Sequence, residues 1–84
     1  MALFGKSYDN GRIEVLAREP FKDNPVMERI FNNISLEAKK GVLKIEGTVD
    51  SEKVKNQVEE KIQEKLKKSR VDFKKVDNQL EVEE

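Results

Sequence analysis

The amino-acid sequence predicts a small α+β domain, in which a three- or four-stranded mixed sheet carries two helices packed on one face. Apolar and polar residues alternate over residues 34–38 and 43–49, a pattern typical of strands with one buried face. Apolar residues then recur at every fourth position over residues 54–66, a pattern typical of a helix. A chain of 84 residues is long enough for one such domain, which has a thin core.

The two alternating segments predict a hairpin with one buried face. Gly41 lies between them and can adopt the positive φ that a tight turn requires. Gly47 falls on the buried face of the second strand, where a residue without a side chain allows close approach, so we expect a helix to cross there. The inward-facing residues of the hairpin are Ile34, Leu36, Ala38, Leu43, Ile45 and Val49.

A long helix is predicted from Ser51 to about Ser69, and a last strand follows it. Asp50 or Ser51 can accept hydrogen bonds from the first free N–H groups of the helix, and Glu52 suits its dipole. At 1.5 Å per residue the helix is about 28 Å long, so its basic C-terminal end is expected to overhang the sheet. The apolar stripe of the helix is Val54, Val58, Ile62 and Leu66. The last strand runs from Phe73, or at least Val76, through Val82, with Val76, Leu80 and Val82 on one face.

The N-terminal part of the sequence leaves two structures open. We divide the chain into an N-terminal extension, residues 1–22, and a single domain, residues 23–84. Ile13, Val15 and Ala17 alternate with charged residues after an Asn-Gly turn signal, which predicts a short strand over residues 12–18. Leu16 also lies at helical spacing from Ile13, so a helix is the alternative.

A short helix is predicted from Pro25 to Asn32. Pro20 and Pro25 bracket a connector, and Asn24 can cap the helix that follows. Asn33 is a candidate left-handed residue at its end. The apolar face of this helix consists of Val26, Met27, Ile30 and Phe31. We assign this stripe to the core and not to a ligand pocket.

The composition excludes much catalytic chemistry. The chain has no Cys and no His, which removes disulfides, thiol nucleophiles, zinc–thiolate sites and the commonest general base. The carboxylates of Glu59-Glu60 and Glu83-Glu84 lie in charged runs without an apolar shield that could raise a pKa. We therefore expect no enzyme activity, no cofactor and no metal site. The 40% charged content is typical of thermophile proteins, although six Asn residues argue against that origin.

The sequence also predicts a cytoplasmic location. No apolar run approaches the about 20 residues that cross a bilayer. The apolar start of the chain, residues 1–5, is shorter than the apolar segment of a signal peptide.

The strongest candidate site is a basic patch near the end of the long helix. The chain carries 17 basic and 17 acidic residues, so it has no net charge to attract nucleic acid or membrane as a whole. Residues 61–75 nevertheless hold seven basic residues and only two acidic ones. The patch consists of Lys61, Lys65, Lys67, Lys68, Arg70, Lys74 and Lys75. It could bind lipid headgroups or nucleic-acid phosphates. The plainer interpretation is a solvated helix end, partly neutralised by Glu64 and the acidic C-terminal tail.

Two segments resemble the BON domain, a small α/β module of bacterial periplasmic and outer-membrane-associated proteins. Gly41-Val42-Leu43-Lys44-Ile45-Glu46-Gly47-Thr48-Val49 is similar to its glycine, strand and Gly-Thr-Val signature. Val76-Asp77-Asn78-Gln79-Leu80-Glu81-Val82 is similar to its closing strand. The resemblance covers about residues 25–82 and implies an αββαβ order, a periplasmic location, and binding to phospholipid or protein at membranes. It implies no catalytic residues.

The leading functional hypothesis is a non-enzymatic binding module that contacts an anionic membrane lipid or a protein partner. One alternative is a structural or assembly protein that pairs through an exposed strand edge, which would make it an oligomer. Another is weak nucleic-acid binding through the basic end of the long helix. An RNA-binding KH module is disfavoured, because the four glycines at positions 5, 11, 41 and 47 never form its Gly-x-x-Gly loop.

Overall fold

The computed structural model describes residues 8–83, which form three helices and one three-stranded sheet. In chain order the elements are α1 (Asn10–Lys22), α2 (Pro25–Phe31), β1 (Ile34–Lys39), β2 (Val42–Val49), α3 (Glu52–Lys68) and β3 (Lys75–Val82). The sheet order is β1-β2-β3, with β1 antiparallel and β3 parallel to β2. The predicted α+β class and mixed sheet are therefore confirmed.

The predicted hairpin is confirmed, and its turn has the expected geometry. Lys39 pairs with Val42, so the loop between the strands has only two residues, Lys40 and Gly41. Both have positive φ, +51° and +80°, as a type I′ turn requires. The backbone N–H of Lys74 donates to the Gly41 carbonyl oxygen at 2.7 Å, which ties the turn to the segment before β3.

The predicted strand over residues 12–18 is wrong, because this segment belongs to α1. The buried residues of α1 are Ile13, Leu16, Ala17 and Phe21, which follow the period of a helix. Val15, which a strand would have buried, is 52% exposed. The Asp9 carboxylate accepts a hydrogen bond from the Arg12 N–H and caps the helix. Within residues 8–83 the sheet has no fourth strand.

The connector between Pro20 and Pro25 is shorter than predicted. Pro20 lies inside the last turn of α1, and only residues 23–24 separate α1 from α2. The Asn24 side chain accepts hydrogen bonds from the first N–H groups of α2, as predicted. Asn33 is not left-handed, since the non-glycine residues with positive φ in the described range are Lys40 and Arg70.

All three helices pack on one face of the sheet, where two had been predicted. α1 contacts α3, α2 and β1, while α3 contacts β2 and β3. The core contains Ile13, Leu16, Ala17, Phe21, Met27, Leu36, Ala38, Leu43, Ile45, Val49, Val58, Ile62, Leu66 and Leu80. The segment predicted as an N-terminal extension therefore supplies part of this same core from residue 13 onward. The rings of Phe21 and Phe31 are stacked, with their centroids 4.6 Å apart, and they connect α1 to α2.

Gly47 is a point of close approach, but not to a helix as predicted. A Cβ atom added to Gly47 would lie 2.9 Å from the Ile34 Cα and would overlap the Asn33 carbonyl oxygen. That oxygen accepts a hydrogen bond from the Thr48 N–H at 3.3 Å. The chain enters β1 directly over Gly47, whose φ of +138° also favours glycine.

The long helix is confirmed, with Ser51 as its N-terminal cap. Its C-terminal end does not overhang as a free end. Leu66 is fully buried, and Lys65 in the same turn pairs with Glu19 of α1. The sequence prediction placed only the sheet under α3, whereas α1 packs beside it.

Candidate anion-binding surface

The structure divides the predicted basic patch into two groups. Lys61, Lys65 and Lys68 line a cleft of about 260 Å³ together with Glu19, Pro20, Asp23 and Glu64. The Lys65 Nζ lies 3.2 Å from Glu19 Oε1, and the Lys68 Nζ lies 3.8 Å from Glu64 Oε1. Three cations therefore share the cleft with three carboxylates. This half of the patch is balanced in charge within the chain.

The second group lies where the α3–β3 connection meets the hairpin turn. Arg70, Lys74 and Lys75 are exposed in this connection and at the start of β3. The hydrogen bond from Lys74 to Gly41 brings them beside Lys39 and Lys40 of the hairpin, which lie outside the predicted patch. We call the cluster of Lys39, Lys40, Arg70, Lys74 and Lys75 the basic end. Lys67 is exposed in the last turn of α3 and does not line the cleft.

The register of the sheet sets the spacing within the basic end. Val42 pairs with Lys39 on one side and with Lys75 on the other. These three residues lie in one row on the sheet face that carries no helix. Because neighbouring strands lie about 4.8 Å apart, the Cα atoms of Lys39 and Lys75 are about 10 Å apart. The two lysines can therefore contact neighbouring anionic groups of one surface.

The cations of the basic end are not held in close ion pairs. All five are exposed, and none pairs with a carboxylate within 4.0 Å among residues 8–83. Asp72 lies in the same connection and is itself engaged in an interaction. The cluster itself therefore carries five positive charges at neutral pH, while Glu37 and Asp77 lie two residues from Lys39 and Lys75 on the same sheet face.

Two cations of the basic end occupy backbone conformations that favour glycine. Lys40 has φ +51° and Arg70 has φ +55°. Arg70 follows the end of α3, where its N–H donates to the Lys67 carbonyl and the Val71 N–H donates to the Leu66 carbonyl, as in a Schellman motif. Glycine is the usual residue at both kinds of position, so each cation has a conformational cost of about 1 kcal/mol.

Within residues 8–83, the aromatic side chains near the basic end are partly buried against the domain. The Tyr8 ring packs on Gly41, where an added Cβ would lie 2.6 to 2.7 Å from its atoms. Phe73 is half-buried and packs against the core. The residues on the helix-free face of the sheet are Ser35, Glu37, Lys39, Val42, Lys44, Glu46, Thr48, Lys75, Asp77, Gln79 and Glu81, and none is aromatic.

A groove lies at the opposite end of β2, and part of the α2 stripe that was predicted to be core lines it. It has a volume of about 410 Å³ and is lined by Val26, Arg29, Ile30, Asn33, Thr48, Val49, Asp50 and Val54. Met27 of the predicted α2 stripe is buried, but Val26 is 66% exposed. Because α2 has only seven residues and sits at the rim of the core, one side of its apolar stripe stays uncovered.

Both edges of the sheet carry a side chain that occupies a backbone N–H. The Ala38 N–H of β1 donates to Glu14 Oε2 at 2.8 Å. The Leu80 N–H of β3 donates to Asn78 Oδ1 at 3.1 Å. Since strand addition requires free N–H groups along the edge, these two bonds disfavour pairing with another strand.

The described part of the chain was also searched for metal-binding groups and for membrane-spanning helices. Residues 8–83 contain no group of three or more acidic side chains arranged to hold a metal ion. No helix within them is long and apolar enough to cross a membrane. The first seven residues of the predicted N-terminal extension lie outside the described residues.

No protein-family model matches the chain, and the search of curated proteins gives no match. The resemblance to the BON domain therefore depends on the two sequence segments quoted above.

Proposed function

We propose that this chain is a non-enzymatic, BON-like binding module whose basic end docks on an anionic membrane surface. The observation that carries the proposal is the meeting of five exposed cations from two segments that lie about 30 residues apart in the sequence. Each cation close to an anionic bilayer contributes about 1 kcal/mol. Five such contacts give a reversible interaction that weakens as the salt concentration rises.

The backbone at Lys40 and Arg70 supports a role for their charges. Each residue accepts a left-handed conformation that glycine would adopt without strain. Two strained positions in one exposed cluster agree with the general finding that strained residues concentrate at functional sites. Glycine at either position would avoid this conformational cost, and binding of an anionic surface is a reason for a cation to stand there instead.

The surroundings of the basic end favour a membrane over a nucleic acid. Single-stranded nucleic acids are bound by aromatic rings that stack on the bases, together with a basic groove. Among the described residues, the aromatic side chains next to the basic end are Tyr8 and Phe73, and both are partly buried against the domain. Lipid headgroups require only the charge and the exposure of the cations. The BON resemblance, which implies phospholipid binding, points the same way.

The test is co-sedimentation of the full chain with vesicles of phosphatidylglycerol and of phosphatidylcholine, at low and at moderate salt. We expect binding to the anionic vesicles only, with loss of binding as salt is added. The double variant Lys74→Glu, Lys75→Glu removes two cations from the basic end. At about 1 kcal/mol per cation, it should bind at least about 30-fold more weakly.

The matched control is Lys61→Glu, Lys68→Glu, which changes the net charge equally but acts in the balanced cleft. It should keep most of the vesicle affinity, since its lysines already face carboxylates. Equal losses in both double variants would show an effect of net charge and would contradict the proposal, as would equal binding to neutral vesicles. If an oligonucleotide binds more tightly than the vesicles and Lys67→Glu, Lys68→Glu abolishes that binding, the nucleic-acid alternative replaces the membrane.

A further inference from the structure

The groove beside α2 is a second exposed surface, separate from the basic end. It is formed by α2, the end of β2 and the first turn of α3, and β2 contributes Thr48 and Val49 to its lining. The basic end lies at the other end of β2, beside Val42. The seven residue steps from Val42 to Val49 separate the two regions by about 23 Å. What occupies the groove is therefore a question independent of membrane binding.

The groove exposes apolar surface that the domain itself leaves uncovered. Val26 is 66% exposed, and Ile30 and Val54 are only partly buried. Val15 is the other large apolar side chain that is mostly exposed in residues 8–83, and it does not line the groove. An exposed Val next to two half-buried apolar residues gives the centre of a contact patch.

The groove carries one positive and one negative side chain, so two copies of it can have complementary charges. Arg29 lies on the α2 side and Asp50 at the end of β2. Among the described residues, neither has an ion-pair partner within 4.0 Å. In a contact with two-fold symmetry, if one residue of the first copy contacts a second residue of the other copy, the reverse contact also forms. Each contact therefore occurs twice. A groove with one cation and one anion is therefore suited to meet a second copy of itself.

We infer that the groove is the contact between two copies of this chain, related by a two-fold axis. Val26 of each copy packs in the groove of the other, and Arg29 of each copy pairs with Asp50 of the other. Eight residues line the groove, whereas each partner of a stable complex contributes roughly 20 to 30 residues. The dimer is consequently weak and forms in a concentration-dependent manner.

The test is sedimentation velocity of the full chain over a wide concentration range. We expect the sedimentation coefficient to rise from that of a 9.7 kDa monomer toward that of a dimer. Arg29→Asp places two acidic residues opposite each other in both halves of the contact, and Asp50→Arg places two cations there. Each variant alone should therefore remain monomeric at concentrations where the natural chain dimerises.

Sedimentation of a mixture of the two charge variants tests the predicted ion pairs directly. In a heterodimer, Asp at position 29 of one chain faces Arg at position 50 of the other, and Asp50 of the first faces Arg29 of the second. Both contacts are again attractive, so an equimolar mixture should restore a dimer. If both variants are folded by circular dichroism and their mixture stays monomeric, the two-fold contact is wrong.

The apolar part of the contact is tested by Val26→Glu, with Val15→Glu as its matched control. Both valines are mostly exposed, so both variants should fold. We expect Val26→Glu to abolish the dimer and Val15→Glu to leave it unchanged. A natural chain that stays monomeric at the highest concentration would overturn the inference. If, in that case, a fluorescent fatty acid binds the natural chain but not Val26→Glu, the groove binds a small apolar ligand instead.

Discussion

The Glu14 carboxylate of α1 accepts a hydrogen bond from the backbone N–H of Ala38 in the edge strand β1, with Oε2 2.8 Å from the nitrogen. A second side chain of the same helix, Asn10, accepts from the Gly41 N–H at 3.0 Å. Since N–H groups alternate along a strand, the Ala38 N–H points away from β2 and toward the open edge. α1 is thus fixed to the hairpin by two side-chain bonds as well as by its apolar face.

Glu14→Ala should destabilise the domain by about 1 to 3 kcal/mol, because it leaves a half-buried strand N–H without its charged acceptor. Urea unfolding followed by circular dichroism measures the change. Glu60→Ala, at an exposed position of α3, is the control and should change the free energy of unfolding by less than about 0.5 kcal/mol. Equal effects of the two substitutions would show that the hydrogen bond contributes nothing.

Gly47→Ala should destabilise the domain by about 3 kcal/mol or more. An Ala side chain would overlap the Asn33 carbonyl oxygen, and its backbone would have to adopt a φ of +138°. Gly11→Ala is the opposite control, since the contact of an added Cβ in α1 with the described residues is Asp9 Oδ1 at 3.8 Å. It should stabilise the domain by about 0.5 to 1 kcal/mol. Thermal unfolding of the two variants should therefore shift in opposite directions.

The local sequence predicted correctly those elements in which the apolar residues follow a single period, either that of a strand or that of a helix. The hairpin followed from strict alternation around Gly41, and α3 followed from a four-residue repeat after Ser51. The segment of α1 carries both periods, because Ile13 and Ala17 belong to either pattern. The choice depends on whether Val15 or Leu16 is buried. The packing of α1 on α3 and β1 decides it, and that packing is not visible in the local sequence.

The candidate site could be predicted only in part for the same reason. Arg70, Lys74 and Lys75 were found from charge density along the chain. Lys39 and Lys40 join them through the parallel register of β2 and β3, which brings together residues that lie far apart in sequence. Charge counting also grouped Lys65 with the patch, although Glu19 of α1 neutralises it. Three-dimensional contacts therefore define the basic end.

Asn78→Ala should weaken the junction between β3 and α3. The Asn78 Nδ2 donates to the Lys55 carbonyl at 3.1 Å and to Glu59 Oε1 at 3.0 Å, while its Oδ1 accepts from Leu80. Losing these bonds at a half-buried site should cost about 1 to 3 kcal/mol. Amide hydrogen exchange at Leu80 should also become faster. Gln79→Ala, at an exposed neighbour, should leave both measurements nearly unchanged.

Arg70→Gly should separate stability from binding. Arg70 has φ +55° at the end of α3, where glycine fits without strain, so the variant should be up to about 1 kcal/mol more stable in urea. Lys74→Gly is the matched control, because it removes the same charge at a residue without positive φ. It should lose up to about 1 kcal/mol, because glycine adds conformational entropy to the unfolded chain.

Both glycine variants should bind phosphatidylglycerol vesicles about five-fold more weakly, since each loses one cation worth about 1 kcal/mol. Arg70→Gly would then be more stable and less able to bind, a combination that general unfolding cannot produce. It would mean that the left-handed Arg70 is retained for its charge. If the vesicle affinity of Arg70→Gly equals that of the natural chain while its stability rises, Arg70 takes no part in the membrane contact.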